Sequence, residues 1–199
     1  MTTKNKWHLD INGGKVPFLE LTDGKIVIES LDASKWAQDN SSEGVNLLPG
    51  DQSNQDKIQS AIEDLFKKSM AIIMSIFSKE KRESDGPDQF VQAIEVLNKE
   101  LENSTTEFFV DQEHETMADL MTFPFLHRAF MIEGTSLKDR FYDKIEFEKV
   151  SKLKKWYDTL RSKYSDVIGK QEDFSEHLEK NLNSEQKVQL YYPLPSGSM

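Results

Sequence analysis

Thr22-Asp23-Gly24-Lys25 stands between two apolar runs, Val16-Pro17-Phe18-Leu19 before it and Ile26-Val27-Ile28 after it. Few local signals restrict a chain more. A tight reversal between antiparallel strands needs positive φ, and Asp-Gly supplies it, so the stretch predicts a β-hairpin closed by a two-residue turn. Glu29-Ser30-Leu31-Asp32 follows at once. Ser30 is the expected N-cap of a helix and Asp32 a first-turn acid, so an amide-rich helix end should open where the second strand stops. Such an end can receive a small carboxylate.

The helix beginning there carries Leu31, Ala33, Trp36 and Ala37 and should end near Asp39-Asn40. Ahead of the hairpin, residues 1–14 are polar, with Trp7, Leu9 and Ile11 as isolated apolar points and Gly13-Gly14 as a breaker. Behind it, residues 40–56 change character: Asn40-Ser41-Ser42-Glu43-Gly44, then Leu47-Leu48-Pro49-Gly50, then Asp51-Gln52-Ser53-Asn54. This reads as a linker whose Leu-Leu pair fills a hydrophobic seam.

From Asp56 the apolar period is helical. Ile58, Ile62, Leu65, Phe66, Ile72, Ile73, Ile76 and Phe77 recur at three- and four-residue steps. Lys79 to Pro87 is a solvated break, and Phe90, Ala93, Ile94, Leu97 and Leu101 mark a second helix. Thr116-Met117-Ala118-Asp119 has the reciprocal spacing of a capping box. The residues behind it, from Leu120 to Ile132, are apolar on nearly every face, which predicts a central buried helix, kinked at Pro124. Lys144 to Lys163 should form another amphipathic helix and residues 165–182 a last one, before a non-helical tail ending in Tyr191-Tyr192-Pro193-Leu194-Pro195.

Composition removes several function classes. Against 25 basic residues stand 35 acidic ones, a formal charge of −10, which disfavours nucleic acid or an anionic membrane as partner. There is no cysteine, so disulfides, thiolate metal sites and a cysteine nucleophile are excluded from this chain. His8, His114, His127 and His177 fall at no metal-ligand spacing, and no metal site is expected. His127-Arg128 interrupts the apolar helix, at a place expected to face a cleft between domains. Met70, Met74, Met117, Met121 and Met131 are expected to fill core gaps, while Lys79–Glu83 and Lys152–Lys155 should be solvated faces. The first residues lack an apolar run and no stretch is long enough to span a bilayer, so the expected location is the cytoplasm or an organellar matrix.

Taken together, Lys15-Val16-Pro17-Phe18-Leu19-Glu20, Glu29-Ser30-Leu31-Asp32 with Lys35-Trp36, Glu43-Gly44, Leu47-Leu48-Pro49, and Thr116-Met117-Ala118-Asp119 followed by Phe123-Pro124-Phe125 carry a family resemblance. The chain resembles the glutathione S-transferase superfamily, nearest its omega and lambda classes, over roughly residues 12–165. The resemblance implies an α+β fold: a truncated thioredoxin-like unit (hairpin plus helix, residues 1–45), a linker (46–56), an all-α glutathione-transferase-type bundle (57–182) and a tail (183–199). It implies a cis bond before Pro17, a backbone contact from Val16 to the cysteinyl part of glutathione, and a seat for the γ-glutamyl end at Glu29 and Ser30.

The departure from the family is as informative. Omega and lambda members place a catalytic cysteine on a βα unit ahead of the hairpin, whereas about a dozen residues precede Val16-Pro17 here and none is cysteine. Tyr142, Tyr157 and Tyr164 lie in the wrong half to imitate tyrosine-type transferases. No catalytic residue is therefore assigned, and the chain is expected not to be an enzyme by itself. It is read as a non-catalytic interaction or assembly subunit of a larger complex, requiring no cofactor. Its expected contacts are proteins, engaged through the open strand edge at Val16–Leu21 and the helical surface, with a homodimer compatible and no nucleic acid or membrane insertion. The expected cover for that edge is another chain or residues 1–11. The alternative is a glutathione-dependent thiol transferase or glutathione-binding protein of the omega/lambda type, holding glutathione at Val16, Pro17, Glu29 and Ser30.

Overall fold

β1 (Phe18–Glu20) and β2 (Ile26–Ile28) pair antiparallel, Phe18 opposite Ile28, Leu19 opposite Val27 and Glu20 opposite Ile26, in a computed structural model that describes residues 6–13, 17–168 and 171–182. The reversal is one residue longer than Asp-Gly alone would make it. Leu21 N–H donates to the Lys25 carbonyl at 2.9 Å and Gly24 N–H to the Leu21 carbonyl at 2.8 Å, leaving Thr22-Asp23-Gly24 as a three-residue loop. Gly24 sits at φ 81°, the left-handed position that completes such loops, and Asp23 Oδ1 accepts the Lys25 amide at 3.0 Å.

This hairpin belongs to the first of two compact units, Met1–Leu47, the second being Leu48–Met199. Within the first, Lys6–Asn12 forms a helix, α1, where the sequence shows only isolated apolar points. Its Trp7 meets Phe18 edge-on, ring centroids 6.1 Å apart, an aromatic contact that ties a segment of weak period to the sheet although Trp7 stays 55% exposed. These residues are helical and add no strand to β1. α2 (Ser30–Asn40) packs on both strands. Among the described residues of this unit, Ala33 alone is buried.

The second unit opens on α3 (Gln52–Phe77), which starts inside the stretch expected to be linker. Asp51 explains the earlier start: its carboxylate accepts the Asn54 amide at 3.0 Å and caps the helix. Ile58, Ile62, Leu65, Ile72 and Ile76 form the buried stripe that the helical period predicts. Lys79–Glu83 is a short helix, α4, and not a solvated break; Arg82 is buried and donates to the Ile76 carbonyl at 3.0 Å, closing the end of α3. α5 (Gly86–Asn103) packs against α3, as does α6 (Met117–Phe130) from another side. The α6 helix is uninterrupted at Pro124, whose ring is exposed.

Beyond α6 come two 3-10 turns, Met131–Gly134 and Tyr142–Lys144, then α7 (Ser151–Lys163) and α8 (Gln171–Leu182). The helix expected from Lys144 thus begins seven residues later. Of the methionines assigned to core filling, Met117 and Met131 are buried, Met70 and Met121 are half-buried, and Met74 is 44% exposed. Residues 183–199, the expected tail, lie outside the described residues. No helix of the described residues is long and apolar enough to cross a membrane.

Candidate functional site

The sequence places its ligand seat at the end of the hairpin, and the structure brings Pro17, Glu29 and Ser30 to that end. All three are exposed. Val16, and with it the Val16–Pro17 peptide bond, lies outside the described residues. The cap differs from expectation. Glu29, not Ser30, is the N-cap residue of α2, with φ 77° and ψ 137°, and its side chain does not cap the helix. Ser30 is the first helical residue and Asp32 the first-turn acid. The one-residue shift follows from the backbone: a residue at positive φ cannot be helical, so the helix can begin only after it. That conformation is costly for a residue with a Cβ and persists only where its surroundings impose it.

The second unit holds a more elaborate polar arrangement. Asp119 is fully buried at the third position of α6. One of its oxygens, Oδ2, accepts the Thr116 amide at 2.8 Å and the Thr116 hydroxyl at 2.9 Å. The other, Oδ1, accepts the Trp156 indole N–H at 2.8 Å and the Phe109 amide at 3.1 Å. Burial pushes the Asp119 carboxyl above its ordinary range, opposed by these four donors. The capping box legible in the sequence is one part of this; the indole of α7 and the amide of the preceding loop are the parts only folding brings in. The arrangement is saturated, with no room for a substrate.

His127, near the end of α6, is buried and places Nδ1 3.0 Å from the Tyr157 hydroxyl. Its ring stacks on Phe123 at 5.5 Å between centroids. Burial first, then the positive charges of Arg161 and Arg128, lower its pKa to about 4, so the imidazole is neutral at physiological pH. Glu115, buried just ahead of α6, pairs with Lys163 and accepts the Tyr164 hydroxyl at 2.6 Å. Burial raises its carboxyl, but Lys163 and Tyr164 outweigh that and hold it below the usual range, while burial and Glu115 push the Tyr164 hydroxyl up. Lys152, expected on a solvated face, reaches the Leu101 and Ser104 carbonyls at 3.1 and 3.3 Å and closes the end of α5. Among the described residues no three of His, Asp and Glu converge as a metal site would require.

Comparison with known proteins agrees with this geometry. Residues 65–163, which run from the middle of α3 through α7, match the family model described as glutathione S-transferase, C-terminal domain. No curated protein sequence matches the chain. Among solved structures, a trimeric glutathione transferase of Leishmania superposes with a TM-score of 0.72 at 21% identity, over 91% of this chain and 40% of that one. A diazinon-metabolizing glutathione S-transferase of the silkworm Bombyx mori gives 0.61 at 20% identity, over 91% and 80%. A class Gtt2 glutathione S-transferase of Vibrio parahaemolyticus gives 0.61 at 19%, over 79% and 74%. The chain thus spans less than half the length of the Leishmania protein and about three-quarters of the other two. The two-stranded sheet and its helices followed by a helical bundle match the expected α+β fold, and the chain belongs to the glutathione S-transferase superfamily.

Proposed function

We propose that this chain is a glutathione S-transferase-like protein of the omega/lambda kind without thiol catalysis of its own, serving as an interaction or assembly subunit of a larger complex. The observation that carries the reading is the burial of a single residue, Ala33, among the described residues of Met1–Leu47. A hairpin and two helices with so little core are poorly held by themselves. A partner chain laid as a strand along Val16–Leu21 would add backbone hydrogen bonds and cover apolar side chains at once. Among the described residues the sheet has only two strands, which leaves an outer edge for such an addition.

The absence of cysteine from all 199 residues supports the non-catalytic half of the reading, since a thiolate at a helix start is the group omega and lambda chemistry requires. The helical surface contributes Phe66 and Met74, each more than 40% exposed, as further contact points. Self-association is one form this takes, in line with the trimeric state of the Leishmania relative. The acidic chain is placed in the cytoplasm or an organellar matrix, away from nucleic acid and membranes. No cofactor is required.

A second reading, glutathione binding without turnover at Val16, Pro17, Glu29 and Ser30, is favoured by the backbone of Glu29. A non-glycine residue held at φ 77° on the surface is the kind of strain found at ligand clamps. Passage over immobilised glutathione followed by an assay of mixed-disulfide reduction separates the readings. The assembly reading expects no turnover, together with recovery of the native protein in a complex of defined stoichiometry. Retention on the resin without turnover supports the second reading. Turnover by the purified chain overturns both.

A further inference from the structure

A cleft of about 600 Å3 opens in the helical unit, bounded by the end of α6, the first 3-10 turn, α7 and the start of α8. Its volume is in the range of small-molecule sites. The floor is aromatic: Phe130 and Tyr157 meet edge-on at 4.5 Å, and the Tyr142 ring stands 6.4 Å from Phe130. The neutral His127 joins them.

The charges around this floor are unevenly satisfied. Lys154 and Asp158, one turn apart on α7, bond each other at 2.6 Å and cancel. Arg161, a turn further on, lines the same cleft, and its charge acts on both His127 and Tyr142. Lining the same cleft are Glu133 on the 3-10 turn, which accepts the Tyr142 hydroxyl, and Glu172 on α8. One cation and two carboxylates therefore line an aromatic floor. A ligand bearing only a carboxylate would meet Arg161 but be repelled by the two acids. One bearing only an ammonium would meet the acids but be opposed by Arg161. A molecule carrying both answers every charge.

We propose that this cleft binds a small zwitterion with a ring-bearing body, of which an aromatic amino acid is the simplest example. Its carboxylate pairs with Arg161, its ammonium with Glu133 and Glu172, and its ring lies toward Tyr142 and Phe130. The site lies wholly within the helical unit and is independent of any glutathione seat at Pro17, Glu29 and Ser30.

Calorimetric titration of the full chain tests it, with L-phenylalanine as the probe and phenethylamine and 3-phenylpropionate as its two halves. Saturable phenylalanine binding is expected at millimolar concentration, with each half-molecule weaker by roughly tenfold or more. Arg161→Ala should weaken phenylalanine by a similar factor and leave phenethylamine unchanged or tighter. Arg161→Gln, which keeps the length of the stem, guards against a packing effect and should behave alike. Lys155→Ala, on α7 but outside the cleft, should bind as the parent does. No saturable binding, equal binding of both halves and the whole, or an equal loss in Lys155→Ala and Arg161→Ala overturns the proposal.

Discussion

The side chain of Asn98, in the middle of α5, accepts the backbone amide of Leu153 at 3.0 Å, so the first turn of α7 is capped from another helix. Val150, the residue in the N-cap position, has no side chain able to do this. Asn98 Nδ2 returns a hydrogen bond to the Lys149 carbonyl at 3.2 Å, which clamps both sides of the entering chain. Asn98→Ala removes the cap and leaves a buried amide unpaired, at an expected cost of about 1–3 kcal/mol in urea denaturation. Asn98→Asp keeps the acceptor but places an oxygen against the Lys149 carbonyl, and should fall between the parent and the alanine variant.

Asp119 should be the most sensitive polar position of the helical unit, because it answers four donors at once. Asp119→Ala is expected to cost at least ~3 kcal/mol, a large share of a typical domain's stability. Trp156→Phe removes one donor and keeps most of the ring. In a double-mutant cycle the two changes should be clearly non-additive, whereas Asp119 and the remote Gly86 should add.

Acid should weaken the helical unit in two stages. His127 is held neutral, with a folded pKa of about 4 against about 6.5 for a free imidazole. Between those values the unfolded chain binds the extra proton, so stability is full above about pH 6.5 and falls as pH drops toward 4. Glu115 has a depressed carboxyl and begins to lose its contribution only as pH falls through the ordinary glutamate range and below. Thermal denaturation from pH 7 to pH 4.5 should therefore show a loss on the order of 2 kcal/mol that His127→Gln largely abolishes. An unchanged slope in that variant would remove His127 as the cause.

Gly86 lies where the backbone of the preceding turn approaches most closely. A Cβ there would come within 2.5 Å of the Lys81 carbonyl oxygen and 2.6 Å of that of Ser75, and neither can move without shifting α3 or α4. Gly86→Ala, ordinarily helpful inside a helix, should instead destabilise by roughly 1–3 kcal/mol, as overpacking does. The shift in urea midpoint gives the sign directly.

At Glu29 the expected sign is the reverse. Replacing a residue held at φ 77° by glycine relieves backbone strain worth about 1–3 kcal/mol. Amide exchange in α2 should slow in Glu29→Gly, while any retention on immobilised glutathione should fall. Faster exchange in α2 would show that the Glu29 side chain holds more than its backbone costs.

Where a feature is a matter of neighbours along the chain, it could be read in advance. The stripe Ile58, Ile62, Leu65, Ile72, Ile76 emerges on one face because a helix repeats every 3.6 residues. Thr116 and Asp119 find each other because they stand three positions apart. The hairpin, too, is local, though hydrogen bonding of Leu21 to Lys25 lengthened its loop by a residue. Glu29 escaped because left-handed backbone in a non-glycine residue carries no sequence signature.

The amino-acid sequence by itself thus determined the hairpin, the long helices, their order and the family resemblance, but not the short helices α1 and α4, since periodicity, turn chemistry and caps act over a few residues. Tertiary structure alone decided which helix caps α7, what saturates Asp119, that Arg82 is buried, and that Arg161, Glu133 and Glu172 line one cleft with an aromatic floor. Asn98 and Leu153 are 55 positions apart, Trp156 and Asp119 37. Only the packing of helices brings such groups within hydrogen-bond range, where a directional contact of about 3 Å replaces the patterns that a sequence displays.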